Sequence, residues 1–435
     1  MTRDQWRVAS LLFFSGFCAL IYQTVWMRQF RLIFGASTFA TAAVLAIFMA
    51  GLGLGSALLG PRADRKTRPL GYYGTLELLI AASAAVSPLL IALVARIYFS
   101  LGGSVTLGVG GASVVRLLLS TLVLAVPTIL MGGTLPAAAR AVETDSDAGR
   151  RAVSLLYGIN TLGAVAGTLL STFVLLEFLG NRSTLLLAVA ANLLVGLIAR
   201  SMSRKLPEQS PHTETMRAEV SSAPAGGMPQ RAVYVAAAVV GFAFLLMELV
   251  WYRMLSPLLG GTSYMFGLIL ALALLGIGLG GVAYALLRRG VATPGGFALT
   301  CTFEALAIAI PFALGDRLAI LANALRSLGV TGFGGHVIGW TIVTSIVVVP
   351  AAFIAGIQFP LLISLLGRGR ENLGREIGTA YAWNTGGAIL GSLAGGFGLL
   401  PLLSATGSWR LVVAMLAGLG LLTVFFAFRG RQQAV

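Results

Sequence analysis

Charge is scarce in this sequence. Only 10% of its 435 residues are Asp, Glu, Lys or Arg, against about 25% in soluble globular domains. That shortage excludes an ordinary water-soluble domain. Cysteine and histidine are rarer still, with two of each. Cys18 and Cys301 fall in different apolar runs, which excludes a disulfide framework and any cysteine-based metal spacing. His212 falls in a polar stretch and His336 at the end of an apolar run. No histidine therefore lies inside a run, and neither a catalytic constellation nor a metal or cofactor site is expected. Acids number 15 against 30 bases, a formal charge of +15. Such an excess is the footprint of a nucleic-acid binder only when the bases gather on one surface; here they fall between apolar runs.

Those runs dominate the chain, 57% of which is hydrophobic. A bilayer span needs about 20 apolar residues, and twelve candidates can be read, at about 8–30, 37–60, 71–93, 115–137, 152–178, 183–200, 232–255, 262–287, 296–315, 337–364, 376–402 and 410–428. Lipid offers no hydrogen bonds, so each run must satisfy its own backbone as a helix. The first run has no small-residue cleavage site and reads as a retained span rather than a signal peptide. With the N-terminus placed inside, alternation puts 21 of the 30 basic residues on the inner side, the bias expected of a cytoplasmic face. Both termini are then cytoplasmic.

The chain repeats itself. GFCALIYQTVWMRQF from Gly16 matches GFAFLLMELVWYRML from Gly241 at an offset of 225. That register pairs Trp26 with Trp251, Arg28 with Arg253, Gly35 with Gly260, and Gly51, Gly53 and Gly55 with Gly276, Gly278 and Gly280. With small drifts Glu77 matches Glu304, GGTLP ending at Pro136 matches GIQFP ending at Pro360, and YGINTLGAVAG matches YAWNTGGAILG. Both copies start on the same side with six spans each. This parallel repeat is the relation between the halves of a major facilitator transporter. The expected fold is all-α, with twelve transmembrane helices in two six-helix halves, residues 1–200 and 232–435. Residues 201–231, with Pro207, Pro211, Pro224 and Pro229, read as a flexible cytoplasmic linker. DRLAILANALRSLG, 316–329, reads as an interfacial helix rather than a thirteenth span.

Several motifs carry chemistry. Glycines four apart (Gly51/Gly55, Gly163/Gly167, Gly276/Gly280, Gly387/Gly391) let helix backbones approach closely in lipid. They lie on spans 2, 5, 8 and 11 and are expected to form the contact between the halves. Gly276, Gly278 and Gly281 also fit G-x-G-x-x-G, but no strand precedes them, which excludes a dinucleotide site. The loop GPRADRKTRP, 60–69, resembles the signature loop of the major facilitator superfamily, so Asp64, Arg65 and Arg68 are expected to form a gating clamp. The matching loop, LLRRGVATPG, lacks an acid. Glu77, Glu248 and Glu304 are acids inside spans; an ionised group at mid-bilayer costs about 3 kcal/mol and usually faces a polar cavity or a partner. They are candidates for balancing a cation or proton, with Glu248 pairing to Arg253 or Tyr252 and Glu77 to Tyr73 as the structural alternatives. Gln23 occupies the position of Glu248 in the first copy. Tyr22, Gln23, Asn160 and Asn384 would supply neutral hydrogen bonds. Trp26–Arg28 and Trp251–Arg253 read as interfacial anchors at the outer ends of their spans.

As a set, SGFCALIYQTVWMRQFRLIFG, FMAGLGLGSALLG and YAWNTGGAILGSLAGGFGLLPLL resemble the fused major-facilitator/spermidine-synthase-like proteins of bacteria, over most of the chain. Members continue into an aminopropyltransferase-like soluble domain. This chain stops at Val435, just past the last span, so aminopropyl transfer by the chain itself is not expected. It also departs at Gln23, where members often carry a glutamate. The resemblance implies a protein of the bacterial inner membrane. Together with the intramembrane acids it implies a secondary transporter of a small cationic or amine substrate, such as a polyamine. The alternative is a membrane scaffold that docks a separate soluble synthase-like partner and transports nothing. An integral-membrane enzyme is disfavoured by the lack of a nucleophile or metal cluster in the spans.

Overall fold

The computed structural model describes residues 3–34, 38–143, 150–205, 208, 228–260, 263–287, 292–367 and 372–432. Among them the regular structure is entirely helical. In chain order it comprises α1 (Arg3–Phe34), α2 (Thr38–Asp64), α3 (Pro69–Ser100), α4 (Gly103–Gly132), α5 (Thr134–Val142), α6 (Arg151–Leu170), α7 (Leu176–Phe178), α8 (Gly180–Lys205), α9 (Gln230–Leu259), α10 (Ser263–Leu287), α11 (Pro294–Leu325), α12 (Phe333–Leu366), α13 (Leu373–Ala394) and α14 (Leu400–Gln432). Eleven stretches of the described residues are long and apolar enough to cross a membrane, α4–α5 and α6–α7 counting as one each. The twelfth expected span is α13, which Arg375, Glu376, Asn384 and Thr385 make more polar. Large apolar side chains such as Leu118, Leu306 and Leu421 stand exposed on the helix exteriors, as a lipid-facing surface requires. The chain is a multi-pass membrane protein. Most of the expected linker lies outside the described residues, as do Gly35 and His212.

The repeat is visible in backbone detail. α6 runs into a π-helical turn at Ser171–Leu175, and α13 into another at Gly395–Leu399, 224 residues on. Two breaks also fall where spans were expected to end. Gly315 at φ 20 separates the ninth span from the helix 316–325, which leads into a 3-10 turn at Arg326–Thr331. Ser404 at φ 63 breaks α14 between the eleventh and twelfth spans.

The helices gather into two compact units. Unit 1 holds Met1–Glu143, Ala166–Glu214 and Arg370–Thr385; unit 2 holds Thr144–Val165, Thr215–Gly369 and Gly386–Val435. Each unit thus includes a piece of both α6 and α13. In unit 1, Tyr22, Trp26 and Phe30 of α1 pack with Phe48, Ile80, Leu124 and Leu185. In unit 2, Met247 and Trp251 of α9 pack with Leu268, Ile308, Val347 and Trp409.

Two expectations are corrected. Trp26 and Trp251 are not interfacial anchors: they are 0% and 1% exposed. Trp26 stacks on Tyr22 at 5.4 Å and its Nε1 donates to Ser87 Oγ at 2.8 Å, while Trp251 meets the edge of Phe244. A tryptophan at a span end turns inward when a ring and a hydroxyl await it there. The glycine ladders also face differently. Gly51 and Gly55 pack on Thr128 and Ile129 of α4, Gly276 and Gly280 on Ala352 and Phe353 of α12, Gly167 on Phe17, and Gly387 and Gly391 on Ala238 and Phe242. These are contacts within one sequence copy. The contacts between copies use other small residues. In unit 1, Gly53, Ser56 and Gly60 of α2 meet Thr385, Gly378 and Gly374 of α13; in unit 2, Gly158 and Leu162 of α6 meet Gly281 and Gly278 of α10. A helix turns about 100° per residue, so Gly53 points away from the face shared by Gly51 and Gly55.

Candidate functional site

The intramembrane acids have three different settings. Glu77 of α3 is fully buried in unit 1. Its Oε1 accepts a 2.6 Å hydrogen bond from Ser15 Oγ of α1, and its backbone carbonyl accepts one of 2.7 Å from Asn192 Nδ2 of α8. One carboxylate residue thereby ties three helices together, with Tyr73, also buried, one turn before it. Glu304 of α11 is buried in unit 2 on the same helix as Cys301, whose sulfur takes a 3.8 Å contact from Gln358 Nε2 of α12. Glu248 of α9 differs from both. It is partly accessible, as are Phe244 and Tyr252 one turn to either side. Among the described residues no hydrogen bond or ion pair reaches its carboxylate, so neither Arg253 nor Tyr252 is its partner.

The neutral candidates divide between the units. Unit 1 holds Tyr22, Gln23 and Asn384 with Glu77; unit 2 holds Asn160 with Glu248 and Glu304. Tyr22 is fully enclosed and Gln23 is buried. Asn160 and Asn384 are half-buried, each followed by a buried threonine. Thr385 is the residue on which Gly53 packs. Asn384 stands about 100° round from that contact face.

The loop after α2 forms a definite structure. Asp64 is buried, and its two oxygens accept the backbone N–H groups of Gly374 and Arg375, each at 2.9 Å. These N–H groups lie in the first turn of α13, where a helix leaves its donors unsatisfied and its dipole favours negative charge. Asp64 therefore caps a helix to which it is not joined. Arg140 at the end of α5 supports it, with Nε 3.7 Å from Asp64 Oδ1 and the arginine side chain 2% exposed. Gly60 and Gly374 pack backbone to backbone beside the cap. Arg65 and Arg68 take no part in it; both are exposed, and Arg68 pairs at 3.0 Å with Glu208 on the surface, where ion pairs contribute little. Arg140 was legible in the sequence only as one more inner-side charge.

Unit 2 has its own arrangement where α6 begins. Arg150, fully buried, donates from Nη1 to the Ile363 carbonyl at 3.0 Å, and Arg151 Nε donates to the Ala285 carbonyl at 2.7 Å. The loop matching that of Asp64 (288–291) lies outside the described residues.

No family model matches the chain, and no curated protein does. Solved structures do. A bacterial homologue of the iron transporter ferroportin in its outward-facing state superposes with a TM-score of 0.65 at 13% identity, covering 99% of this chain and 100% of its own. The human organic anion transporter MFSD10 gives 0.58 at 16% identity, with 98% and 100% covered. The proton:xylose symporter XylE gives 0.55 at 13%, with 98% and 95% covered. The chain has the major-facilitator fold.

Proposed function

We propose that the protein is a secondary transporter that works by alternating access and takes a small cationic or amine substrate, a polyamine among the candidates. The observation that carries this reading is Glu248, a partly accessible carboxyl inside a membrane-spanning helix, with no partner among the described residues. Retaining such a group costs a few kcal/mol, which ligand binding would offset. The structural neighbours are named for iron, organic anions and xylose, so the fold alone does not choose the substrate. The acid and the resemblance to the spermidine-synthase-fused family support a cationic one. In this reading Glu248 of unit 2 binds the ammonium group, and Gln23, Asn160 and Asn384 are candidates for neutral hydrogen bonds, each within its own unit. Tyr22 is a further neutral candidate in unit 1, and Glu77 and Glu304 balance charge, each within its own unit. In this reading Asp64 capping α13 is the gate, and the excess of basic residues on the inner side supports a cytoplasmic position for it in a bacterial inner membrane.

A thermal-shift series with putrescine, spermidine and simpler ammonium ions tests the substrate class. The wild-type protein should be stabilised by at least one amine and the Glu248→Gln protein by none. Equal shifts in the two proteins would remove Glu248 from the site. The scaffold reading draws on the exposed Arg62, Arg65, Lys66 and Arg68. A stoichiometric soluble partner in a pull-down, with no amine-induced shift, would favour it.

A further inference from the structure

Arg150 and Arg151 meet their targets where an α-helix is most receptive to cations. Ala285 lies in the last turn of α10 and Ile363 in the last turn of α12. There the carbonyls lack intrahelical donors and the helix dipole presents its negative end. Arg150 adopts φ 46, the left-handed region that bulky residues avoid, and is held there with its guanidinium buried.

The repeat shows what these residues replace. In the register that aligns YGINT with YAWNT, Arg150 and Arg151 match Gly374 and Arg375; in the register of the first spans, Ala285 matches Gly60. The same two helix ends therefore meet in both units, with the bonding reversed. In unit 1 the side chain comes from the helix that ends, Asp64 of α2, and the backbone N–H groups from the helix that begins, α13. In unit 2 the side chains come from the helix that begins, α6, and the backbone carbonyls from the helices that end, α10 and α12. The glycine explains why the first arrangement cannot carry an arginine at that position. A Cβ on Gly374 would lie 2.9 Å from the Asp64 carboxylate oxygen, so the cap needs the space that Arg150 fills in unit 2.

We infer that Arg150 and Arg151 form a second latch of opposite polarity, which must release before α6 can part from α10 and α12 and which holds independently of Asp64. Its role as a gate rests on the transport reading. The latch itself can be tested without substrate. Ser154, one turn after Arg150, and Ser56, beside Gly378, are both buried and serve as reporter sites when changed singly to cysteine. Cys18 and Cys301 are buried and remain in place as the labelling background.

Purified protein is labelled with a water-soluble maleimide. Arg151→Gln, and separately Arg150→Gln, should raise the labelling rate of the Ser154→Cys protein about tenfold and leave that of the Ser56→Cys protein within about twofold. Asp64→Asn should do the converse, and Arg151→Lys should restore part of the protection. No rise at Ser154→Cys in the Arg151→Gln protein would overturn the latch. A rise at both reporter sites in that protein would overturn its independence from Asp64. If labelling follows the expected pattern in a protein that moves no amine, the latch stands and the transport reading falls.

Discussion

Asp64 and Gly374 are 310 residues apart in sequence and meet at 2.9 Å, carboxylate oxygen to backbone N–H. The bond joins the end of α2 to the start of α13 and so links the two sequence copies. Replacing a capping side chain by alanine typically costs about 1 kcal/mol, and hydrogen bonds to charged groups are worth about 1.5–3 kcal/mol. Asp64→Ala should destabilise the detergent-purified protein by that order, read as a lowered melting temperature, with Asp64→Asn intermediate. Arg140 shares the site, so the double mutant Asp64→Ala/Arg140→Ala should lose less than the two single mutants together. Strict additivity in that cycle would show that the 3.7 Å pair is not coupled.

Neighbouring glycines on α2 should respond differently to the same change. A Cβ on Gly55 would come within 2.6 Å of the Ile129 carbonyl carbon, whereas one on Gly53 would sit 3.1 Å from the Thr385 side chain. Overpacking a tight contact costs about 1–3 kcal/mol. Gly55→Ala should therefore be clearly destabilising in a thermal melt, and Gly53→Ala much less so. The reverse order would mean that the two helix faces have been exchanged.

Glu77 is predicted to be replaceable by glutamine but not by alanine. Glutamine keeps an acceptor for Ser15, so stability should stay within about 1 kcal/mol of wild type. Alanine leaves the Ser15 hydroxyl without its 2.6 Å partner and opens a cavity, a loss of about 2–5 kcal/mol. Unfolding of the two variants in denaturant or heat separates these outcomes.

The tryptophans offer a check in the bilayer itself. Single-tryptophan proteins reconstituted with brominated acyl chains should show little quenching for Trp26 and Trp251, which are buried, and strong quenching for Trp383, which is 46% exposed. Quenching of Trp26 as strong as that of Trp383 would restore its assignment as an interfacial anchor.

The spans and their duplication were legible because hydropathy and repeat register are local signals, and the two π-helical turns 224 residues apart repeat that register in the backbone. What a side chain faces is less legible. Gly51, Gly53 and Gly55 look equivalent as letters, yet they serve two different neighbours. Trp26 sits at a span end in either reading, and only Ser87 and Tyr22, brought in by folding, turn it inward. Glu77 was recognised as an intramembrane acid, but Ser15 and Asn192 lie 62 and 115 residues away with no pattern connecting them. Arg140, Arg150 and Arg151 were hidden by a sufficient explanation of another kind: inner-side charge accounts for an arginine without asking what it binds.

Amine flux into proteoliposomes is the most direct test of the central claim. Wild-type protein should drive saturable uptake of a labelled polyamine above that of empty vesicles, and Glu248→Gln, folded to the same melting temperature, should lower it by about tenfold or more. Uptake by the Glu248→Gln protein equal to wild type would contradict the assignment of the site, and wild-type uptake no greater than that of empty vesicles, across the amines tried, would contradict the proposed transport of amines.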